Sequence, residues 1–330
     1  MSLGALKVTV LHGQQEQSAD GRLVSELLAQ CVAAHELPVV AVLRGELGFG
    51  SGRRLHRTRP LIPSRHLPML ATAIGELDRV RAMLSDLDAA ARPTLLTVEA
   101  VRLLDGDLDT GPLARDPERE ATRLTVFVGS GEEVGGRPAH QVVVEILLRH
   151  GVDGATVLPG VDGTLYGRRP AGANGAAREV PTMVVAVGAA EPVAAGLAEV
   201  RKALDRPVAT LERVHVWRRS GTEVAAPAPA PPGRTWQRLS VFSNEGARHG
   251  GRPLHVELAR RLLRAGAPGA TAVRGIGGYG GGGVVVTEVV DQATAMPRWQ
   301  AVAAEVTEQA GLVTVEHVPE CRPARAAARA

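Results

Sequence analysis

An internal repeat with a spacing of 115 residues constrains this chain more than any other feature. The segment GATVLPG at residues 154–160 returns as GATAVRG at residues 269–275, and a degenerate version, VVAVLRG, occupies residues 39–45. A fixed spacing between similar segments indicates that one structural unit has been copied along the chain. The sequence therefore predicts three copies of one domain.

Other motifs return in the same order within each copy. The sequence GGRP at residues 135–138 matches residues 250–253, and each copy ends in an apolar run that contains a glutamate, Glu99, Glu212 or Glu316. Recurrence at one position of every copy favours a shared role. We expect these three glutamates to form pairs between neighbouring copies.

The pattern of apolar residues inside a copy predicts a mixed α+β domain. In the first copy, β-type runs lie at residues 8–11, 39–43, 69–74 and 95–101, and amphipathic helical patterns lie between them. The order is β-α-β-β-α-β, which is that of the ferredoxin-like unit. The predicted fold class is therefore α+β, with three tandem ferredoxin-like (βαββαβ) domains. Each such domain leaves one sheet face open, and three copies can bury these faces around a shared axis.

Polar segments separate the predicted copies. Proline and alanine dominate the second of these segments, and that composition favours an extended, semi-rigid spacer. The predicted boundaries are repeat 1 at 1–104, a linker at 105–121, repeat 2 at 122–217, a linker at 218–235, repeat 3 with a shortened loop at 236–320, and a disordered tail at 321–330.

Composition predicts a cytoplasmic protein that does not insert into a membrane. Hydrophobic residues make up 45% of the chain, which is enough for packed cores, and the net charge is only +3. No apolar run approaches the ~20 residues that span a bilayer. The only cysteines, Cys31 and Cys321, do not suggest a disulfide framework and fit a reducing compartment.

The segments after the second strand of two copies resemble a known family. RGELGFG at residues 44–50 and RGIGGYG at residues 274–280 look like the base of the large loop in PII proteins. Together with the GGRP helix start, the pattern is similar to domain-of-unknown-function family 190, in the PII-like superfamily. The resemblance implies that the three copies form an intramolecular PII-like pseudo-trimer and that the chain is a monomer.

The same resemblance implies a signalling or regulatory protein and not an enzyme. Such a protein would bind a small anionic ligand or a nucleotide in clefts between domains, with an adenine nucleotide as the candidate. It would then act on an unidentified partner protein, for which a membrane transporter is the candidate. Two alternatives stay open at this point, namely an enzyme with an acid–base site in a cleft of a ferredoxin-like trimer, and a purely structural assembly module.

Glycine and arginine supply the candidate ligand-binding residues. Backbone N–H groups of glycine can approach an anion closely, and the arginine guanidinium binds phosphate or carboxylate through a planar fork. The alternative for the same residues is a solvated, flexible loop. The candidates are Arg44, Gly45, Gly48, Gly50, Arg53, Arg54, Gly160, Arg168, Arg169, Arg274, Gly275, Gly277, Gly278 and Gly280.

Other kinds of site have little support in the sequence. The pattern G-x-G-x-x-G at residues 275–280 precedes a β-type run instead of a helix, which argues against a dinucleotide fold. His140 and His255 are equivalent in two copies but gain no further recurrent ligands, so no metal site is predicted. No recurrent nucleophile and base suggest catalysis. Aromatic residues make up only 2% of the chain, which argues against nucleic-acid binding by base stacking.

Overall fold

The computed structural model describes most of each repeat. The described residues are 4–18, 20–50, 52–58, 66–90, 95–104, 119–166, 180–224, 236–278, 283–307 and 311–323.

Repeat 1 places two helices over four main strands. Helix α1 buries Val24, Leu27, Leu28, Cys31 and Val32, so its apolar stripe faces the sheet. The elements are β1 (Ala5–Gly13), α1 (Val24–Ala34), β2 (Val39–Arg44), β3 (Leu47–Phe49), β4 (His56–Arg57), β5 (Pro68–Glu76), α2 (Leu77–Ala90) and β6 (Leu95–Leu104).

Repeat 2 has the same order of main elements and a separate core under its helices, which includes Leu124, Val143 and Leu197. The elements are β7 (Glu120–Gly129), β8 (Glu133–Val134), β9 (Arg137–Pro138), α3 (Ala139–Arg149), β10 (Gly154–Leu165), β11 (Pro181–Gly188), α4 (Ala190–Ala203), β12 (Val208–Arg219) and β13 (Thr222–Glu223).

The core of repeat 3 contains Trp299 and also includes Trp217 of repeat 2. Helix α5 ends at Gly266, whose positive φ of 93° suits glycine. The elements are β14 (Trp236–Asn244), β15 (Arg248–His249), β16 (Arg252–Pro253), α5 (Leu254–Ala265), β17 (Ala270–Arg274), β18 (Gly277–Gly278), β19 (Val284–Gln292), α6 (Met296–Val306), β20 (Leu312–Val318) and β21 (Glu320–Pro323).

Strands of the first two repeats close a barrel. Eight antiparallel neighbours follow one another around it in the order β1, β5, β2, β10, β11, β7, β12 and β6, and β6 pairs again with β1. Backbone hydrogen bonds between strands therefore continue across the boundary between repeats 1 and 2. The barrel is a joint product of the two repeats.

Repeat 3 joins the same sheet through four further pairings. Strand β17 pairs with β3, β18 with β10, β20 with β12, and β21 with β6. The result is one sheet of 17 strands, flanked by the small hairpins β8–β9 and β15–β16. Six helices lie within the part of the chain that the structure describes.

These pairings correct the predicted fold class. The chain is not three tandem ferredoxin-like domains in a PII-like pseudo-trimer, because the strands of its repeats form one antiparallel sheet with a closed eight-stranded barrel. The sequence pattern showed which segments are strands. It contained no signal for backbone hydrogen bonds between strands of different repeats, which depend on register and not on apolar periodicity.

The domain boundaries stay a prediction, although three strands extend into segments predicted as linker or tail. Strand β7 begins at Glu120, β12 continues to Arg219, and β21 covers Glu320–Pro323. Strand β21 is ordered because it pairs with β6 of repeat 1. The central parts of both predicted linkers, 105–118 and 225–235, lie outside the described residues.

Two glycines allow strands of different repeats to approach closely. Gly163 has a φ of 144° and Gly278 a φ of 146°, which only glycine adopts without strain. A Cβ atom at Gly163 would lie 2.0 Å from the carbonyl oxygen of Val40, and one at Gly278 would lie 2.2 Å from that of Ala155. Both carbonyls belong to neighbouring repeats, so these glycines are required for the pairing between repeats.

Six buried charges connect the three repeats in a cycle, which we call the charge ring. Each cation lies on the first strand of a repeat and each glutamate on the last strand, and their side chains are only 3–10% exposed. The members of the charge ring are Lys7, Arg123, Arg238, Glu99, Glu212 and Glu316.

Every cation of the charge ring pairs with the glutamate of the next repeat. Lys7 of repeat 1 donates to Glu212 of repeat 2, and Nη1 of Arg123 in repeat 2 donates to Glu316 of repeat 3 at 2.6 Å. Nη1 of Arg238 in repeat 3 returns to both oxygens of Glu99 in repeat 1, at 3.0 and 3.1 Å. The expected pairing of the three glutamates between copies is confirmed.

Removing one cation from the charge ring should destabilise the whole chain. In Arg238→Met, the buried Glu99 loses both hydrogen bonds from Arg238 and keeps only Lys7 at 3.0 Å, and breaking a buried pair costs about 3–5 kcal/mol. Urea unfolding should show this loss, and a smaller one in the double variant Arg238→Met with Glu99→Leu. The control is Arg219→Met, whose ion pair with Asp153 is exposed and worth at most about 1 kcal/mol. Equal losses in Arg238→Met and the control would refute the role of the ring.

The cyclic pairing also predicts a monomer. All three repeats satisfy one another within one chain, so a second chain is not needed to complete the charge ring or the barrel. Light scattering after size exclusion should give a mass near 34.5 kDa. A stable trimer of whole chains would contradict this expectation.

Candidate functional site

A cleft of about 390 Å³ opens between repeats 1 and 3, at the position where β3 pairs with β17. We call it the arginine cleft. The charged or titratable residues on its walls are Glu46 and Arg57 from repeat 1, and Glu245, Arg248, His255 and Arg274 from repeat 3.

Arg274 is held by two carboxylates in this cleft. Its Nε donates to Oε2 of Glu46 at 2.7 Å, and its Nη2 donates to Oε1 of Glu46 at 2.6 Å. Its Nη1 donates to Oε2 of Glu245 at 2.5 Å. The backbone N–H of Glu46 donates to the carbonyl of Ala272, which keeps the carboxylate opposite the arginine. The fork geometry makes this a strong link between the two repeats.

The Glu46 carboxyl group is strongly acidic. Burial raises its pKa, but the neighbouring His255 and the hydrogen bonds from Arg274 outweigh burial and lower the pKa to about 2. The Nε2 atom of buried His255 lies 3.7 Å from Oε1 of Glu46. The Nδ1 atom of His255 has no hydrogen-bond partner among the described residues. Glu46 is therefore ionised throughout the neutral range.

Arg57 and Arg248 leave two guanidinium groups open to a ligand. Both side chains are exposed on the walls of the cleft, and neither forms a hydrogen bond or ion pair within the described part of the chain. Arg274 lies on the same cleft with its charge already paired. An anion entering the cleft would meet two unpaired cations and one that it must share with Glu46 and Glu245.

Several of the predicted loop-base glycines already engage their backbone groups in hydrogen bonds, strand pairing or close packing. The N–H of Gly275 donates to Val284 at 2.7 Å, and the N–H of Gly45 donates to Pro68 at 2.8 Å. Gly277 and Gly278 form β18 and pair with β10 of repeat 2. Gly160 packs so closely against Pro181 that a Cβ atom would lie 2.1 Å from its carbonyl oxygen. These glycines therefore serve strand pairing and packing.

The predicted arginines do not come together at one place. Arg274 lies on the arginine cleft, whereas Arg44 lies at the end of β2, with its Nη2 3.5 Å from Oε1 of Gln14. Arg53 reaches repeat 3 and donates to the carbonyl of Leu263 at 2.7 Å. Arg54 contributes to lowering the pKa of His56, after burial and His66.

The remaining predicted residues fall into two groups. Gly48 and Gly50 line a second cleft in repeat 1. Arg168, Arg169 and Gly280 lie outside the described residues.

Sequence reasoning missed the two acidic partners of Arg274 and the arginine of repeat 3 beside them. Glu46, Glu245 and Arg248 were not candidates, although Glu46 follows the loop-base glycine directly. One signal was present in the sequence, because the equivalent position is Val161 in repeat 2, and Ile276 in repeat 3. Repeat 1 alone has a charged residue at this position, and this difference marks the cleft between repeats 1 and 3 as unlike the others.

Two other kinds of feature are absent from the part of the chain that the structure describes. No three histidine, cysteine, aspartate or glutamate side chains there are grouped so that they could hold a metal ion. None of the described helices combines the length and the apolar character that spanning a membrane requires.

A family model matches each of the three repeats. The model DUF190, described as Uncharacterized ACR, matches residues 5–103, 121–216 and 236–319. The chain therefore belongs to the DUF190 family and contains three copies of its domain. The predicted family and the predicted number of copies are both confirmed. No curated protein matches the sequence.

Two solved structures are distantly similar to the chain. A crystal structure of aspartate kinase from Synechocystis matches with a TM-score of 0.25 and 10% identity, over 95% of this chain and 43% of the kinase chain. A crystal structure of an anthrone oxidase-like protein matches with a TM-score of 0.22 and 13% identity, over 69% of this chain and 99% of that chain. This chain thus spans less than half of the kinase, and neither TM-score is high enough to define a shared fold.

Acid should remove the stabilising contribution of Glu46. Because its pKa is lowered from 4.5 to about 2 on folding, its ionised form favours the folded state at pH values above 4.5. The contribution should fade as the pH falls from 4.5 towards 2. Unfolding free energies of wild type and Glu46→Gln should therefore differ near neutral pH and converge in this acidic range. A difference that does not change with pH would contradict the assignment.

Proposed function

We propose that this DUF190 protein is a regulatory protein that binds a small anionic ligand in the arginine cleft between repeats 1 and 3. One observation supports this proposal more than any other. Arg57 and Arg248 are exposed on opposite repeats of one cleft, without ion pairs among the described residues, beside the paired Arg274. Clustered guanidinium groups favour phosphate and carboxylate ligands.

Ligand binding at this cleft would be coupled to the contact between two repeats. Arg274 joins them through Glu46, while Glu245 binds Arg274 by a single hydrogen bond from the same repeat. An anion that replaces Glu245 would accept the hydrogen bond from Nη1 of Arg274 and leave the bidentate pair with Glu46 intact. An anion that displaces Glu46 would loosen the boundary between the repeats. In either case the ligand would bind one arrangement of the two repeats more tightly than the other, and this difference in binding free energy could shift the conformation of the chain.

The size of the cleft suits a small molecule. Ligand pockets usually measure about 300–1,000 Å³, and the arginine cleft has about 390 Å³, near the lower end of this range. An adenine nucleotide is the organic ligand that we propose to test first, with phosphate as its minimal anionic part. A cytoplasmic location and a protein partner, for which a membrane transporter is the candidate, complete the proposal.

Variants of the unpaired arginines provide the test. Isothermal titration with phosphate, citrate, ADP and ATP should detect binding of at least one of them, and Arg57→Ala and Arg248→Ala should each weaken it about tenfold or more. Each variant removes charge-assisted hydrogen bonds worth about 1.5–3 kcal/mol. Higher salt should weaken binding as well, because the side chains are exposed.

The matched control is Arg219→Ala, an exposed arginine on β12 that does not line the cleft. Its affinity should equal that of wild type. If none of the four compounds binds, or if both cleft variants bind as wild type does, the arginine cleft is not the ligand site. The first of these results would also favour a structural assembly module over a regulatory protein.

A further inference from the structure

A short segment of repeat 1, from Arg53 to Arg57, lies along helix α5 of repeat 3. Leu55 of this segment and Leu263 of α5 both pack against the core of repeat 3. Nη2 of Arg53 donates to the carbonyl oxygen of Leu263 at 2.7 Å. At the other end of the segment, Arg57 lines the arginine cleft together with Val256 of α5. The segment therefore runs beside the helix from its last turn to its first.

The solvent-facing side of α5 adjoins this segment. The side chains that α5 buries include Leu254, Leu258 and Leu262, one turn apart along the helix. At 100° per residue, Arg260 and Arg264 lie on the opposite side, and Arg264 is fully exposed while Arg260 is half-buried. Arginines of two repeats thus line the two sides of one contact.

Five arginines form a basic surface along this contact, which we call the basic strip. None of them has an ion pair within the described part of the chain, and residues 52–58 contain no aspartate or glutamate. The one acidic residue of α5, Glu257, is only 7% exposed and accepts a hydrogen bond from Arg261 at 3.1 Å. The members of the basic strip are Arg53, Arg54, Arg57, Arg260 and Arg264.

This uncompensated charge is unlike the rest of the surface. The whole chain has 38 lysines and arginines against 35 aspartates and glutamates, so most charges can be balanced. Exposed arginines elsewhere do have acidic neighbours, as Arg79 has Glu36 and Arg137 has Glu145. Like charges that lie together repel one another, and an anionic partner removes this repulsion. The basic strip is therefore a candidate surface for a negatively charged partner.

Arg53 is fixed in place before any partner binds. Its φ of 50° lies in the left-handed region, which is costly for a residue that has a Cβ atom. Its backbone N–H donates to the carbonyl of Gly50 at 2.9 Å, and its side chain donates to Leu263 at the carbonyl end of α5, where a cation is favoured. A segment that is already ordered loses less conformational entropy when it binds a partner.

The spacing of the arginines indicates the shape of the partner. Arg260 and Arg264 are about one turn apart, which is a distance of about 6 Å along the helix axis. In an extended peptide, side chains at alternate positions point the same way and lie about 6.6 Å apart. Carboxylates at alternate positions of an extended peptide therefore match these two guanidinium groups, each of which binds a carboxylate through a planar fork.

We propose that the basic strip binds an extended acidic segment of a partner protein, with glutamate or aspartate at alternate positions. This proposal deepens the proposed function, on which it rests for the existence of a protein partner. Arg57 belongs to both the basic strip and the arginine cleft, whereas Arg260 and Arg264 do not line the cleft. Variants of these two residues therefore separate peptide binding from binding of a small anion.

Labelled peptides of defined pattern test the proposal on the full chain. Fluorescence anisotropy at low salt should show binding of the peptide EVEVE and none of QVQVQ, which lacks the charge. The peptide EEEVV has the same charge in one block and should bind more weakly than EVEVE. Salt should weaken binding, because the arginines are exposed. The proposal is overturned if EVEVE does not bind, or if QVQVQ or EEEVV binds equally well.

A double variant locates the binding on α5. Each exposed arginine–carboxylate pair contributes roughly threefold to fivefold in affinity, so Arg260→Gln with Arg264→Gln should weaken EVEVE binding about tenfold. Glutamine has a high helix propensity, so α5 should stay folded. The control, Arg79→Gln with Arg81→Gln, removes the same charge from the exposed side of α2 and should bind as wild type does. Equal weakening in both double variants would refute the location.

Two further measurements separate the alternatives. An oligothymidylate of the same charge as EVEVE should bind more weakly than the peptide, and tighter binding of the oligonucleotide would replace the acidic protein segment by a nucleic acid. The variant Arg260→Gln with Arg264→Gln should keep the affinity of wild type for any small anion that binds in the arginine cleft. Loss of peptide binding alone would support the basic strip, and equal loss of both would contradict a separate surface.

Discussion

The charge ring is the interaction on which the remaining structure depends. Three cations and three carboxylates are buried together, and removing such groups from water is expensive unless each one meets its partner. Each cation donates to the glutamate of the next repeat, and Lys7 also pairs with Glu99 of its own repeat at 3.0 Å, so the full set of pairs forms only when repeats 1, 2 and 3 surround one centre. A hydrophobic contact would tolerate a shift or an exchange of repeats. Paired charges with fixed geometry do not, and they hold the strands in the register that closes the barrel.

Because the charge ring joins all three repeats at the centre, the residues at the three outer boundaries between repeats can differ. Strands β3, β10 and β18 each cross into a neighbouring repeat after the loop-base glycine. The residue that follows this glycine is Glu46 in one copy, Val161 in the second and Ile276 in the third. Glu46 binds Arg274, whereas Val161 and Ile276 are exposed apolar side chains. Duplication thus produced one polar boundary and two with apolar residues at the same position.

Sequence reasoning reached the repeat and the family, because their motifs recur at a spacing of 115 residues, and it reached the pairing of the glutamates, because one occurs in the last strand of every copy. It missed the fold class, since hydrogen bonds between β2 and β10 or between β6 and β12 have no local pattern. It interpreted Gly278 as part of an anion-binding loop, but glycine is required there for close approach to Ala155. The Glu46–Arg274 pair was missed for a related reason, because its partners are far apart in the chain and meet only across a boundary between repeats.

Strand β21 has a consequence for how the chain is made. Residues Glu320–Pro323 cover one edge of β6 in repeat 1, beside the pairing of β6 with β12. A ribosome releases repeat 1 long before this covering strand exists, and β3 likewise waits for β17. During synthesis the first repeat therefore presents unpaired strand edges, the surfaces through which nascent chains associate with each other. Protection of those edges until translation ends is a requirement that this architecture places on the cell.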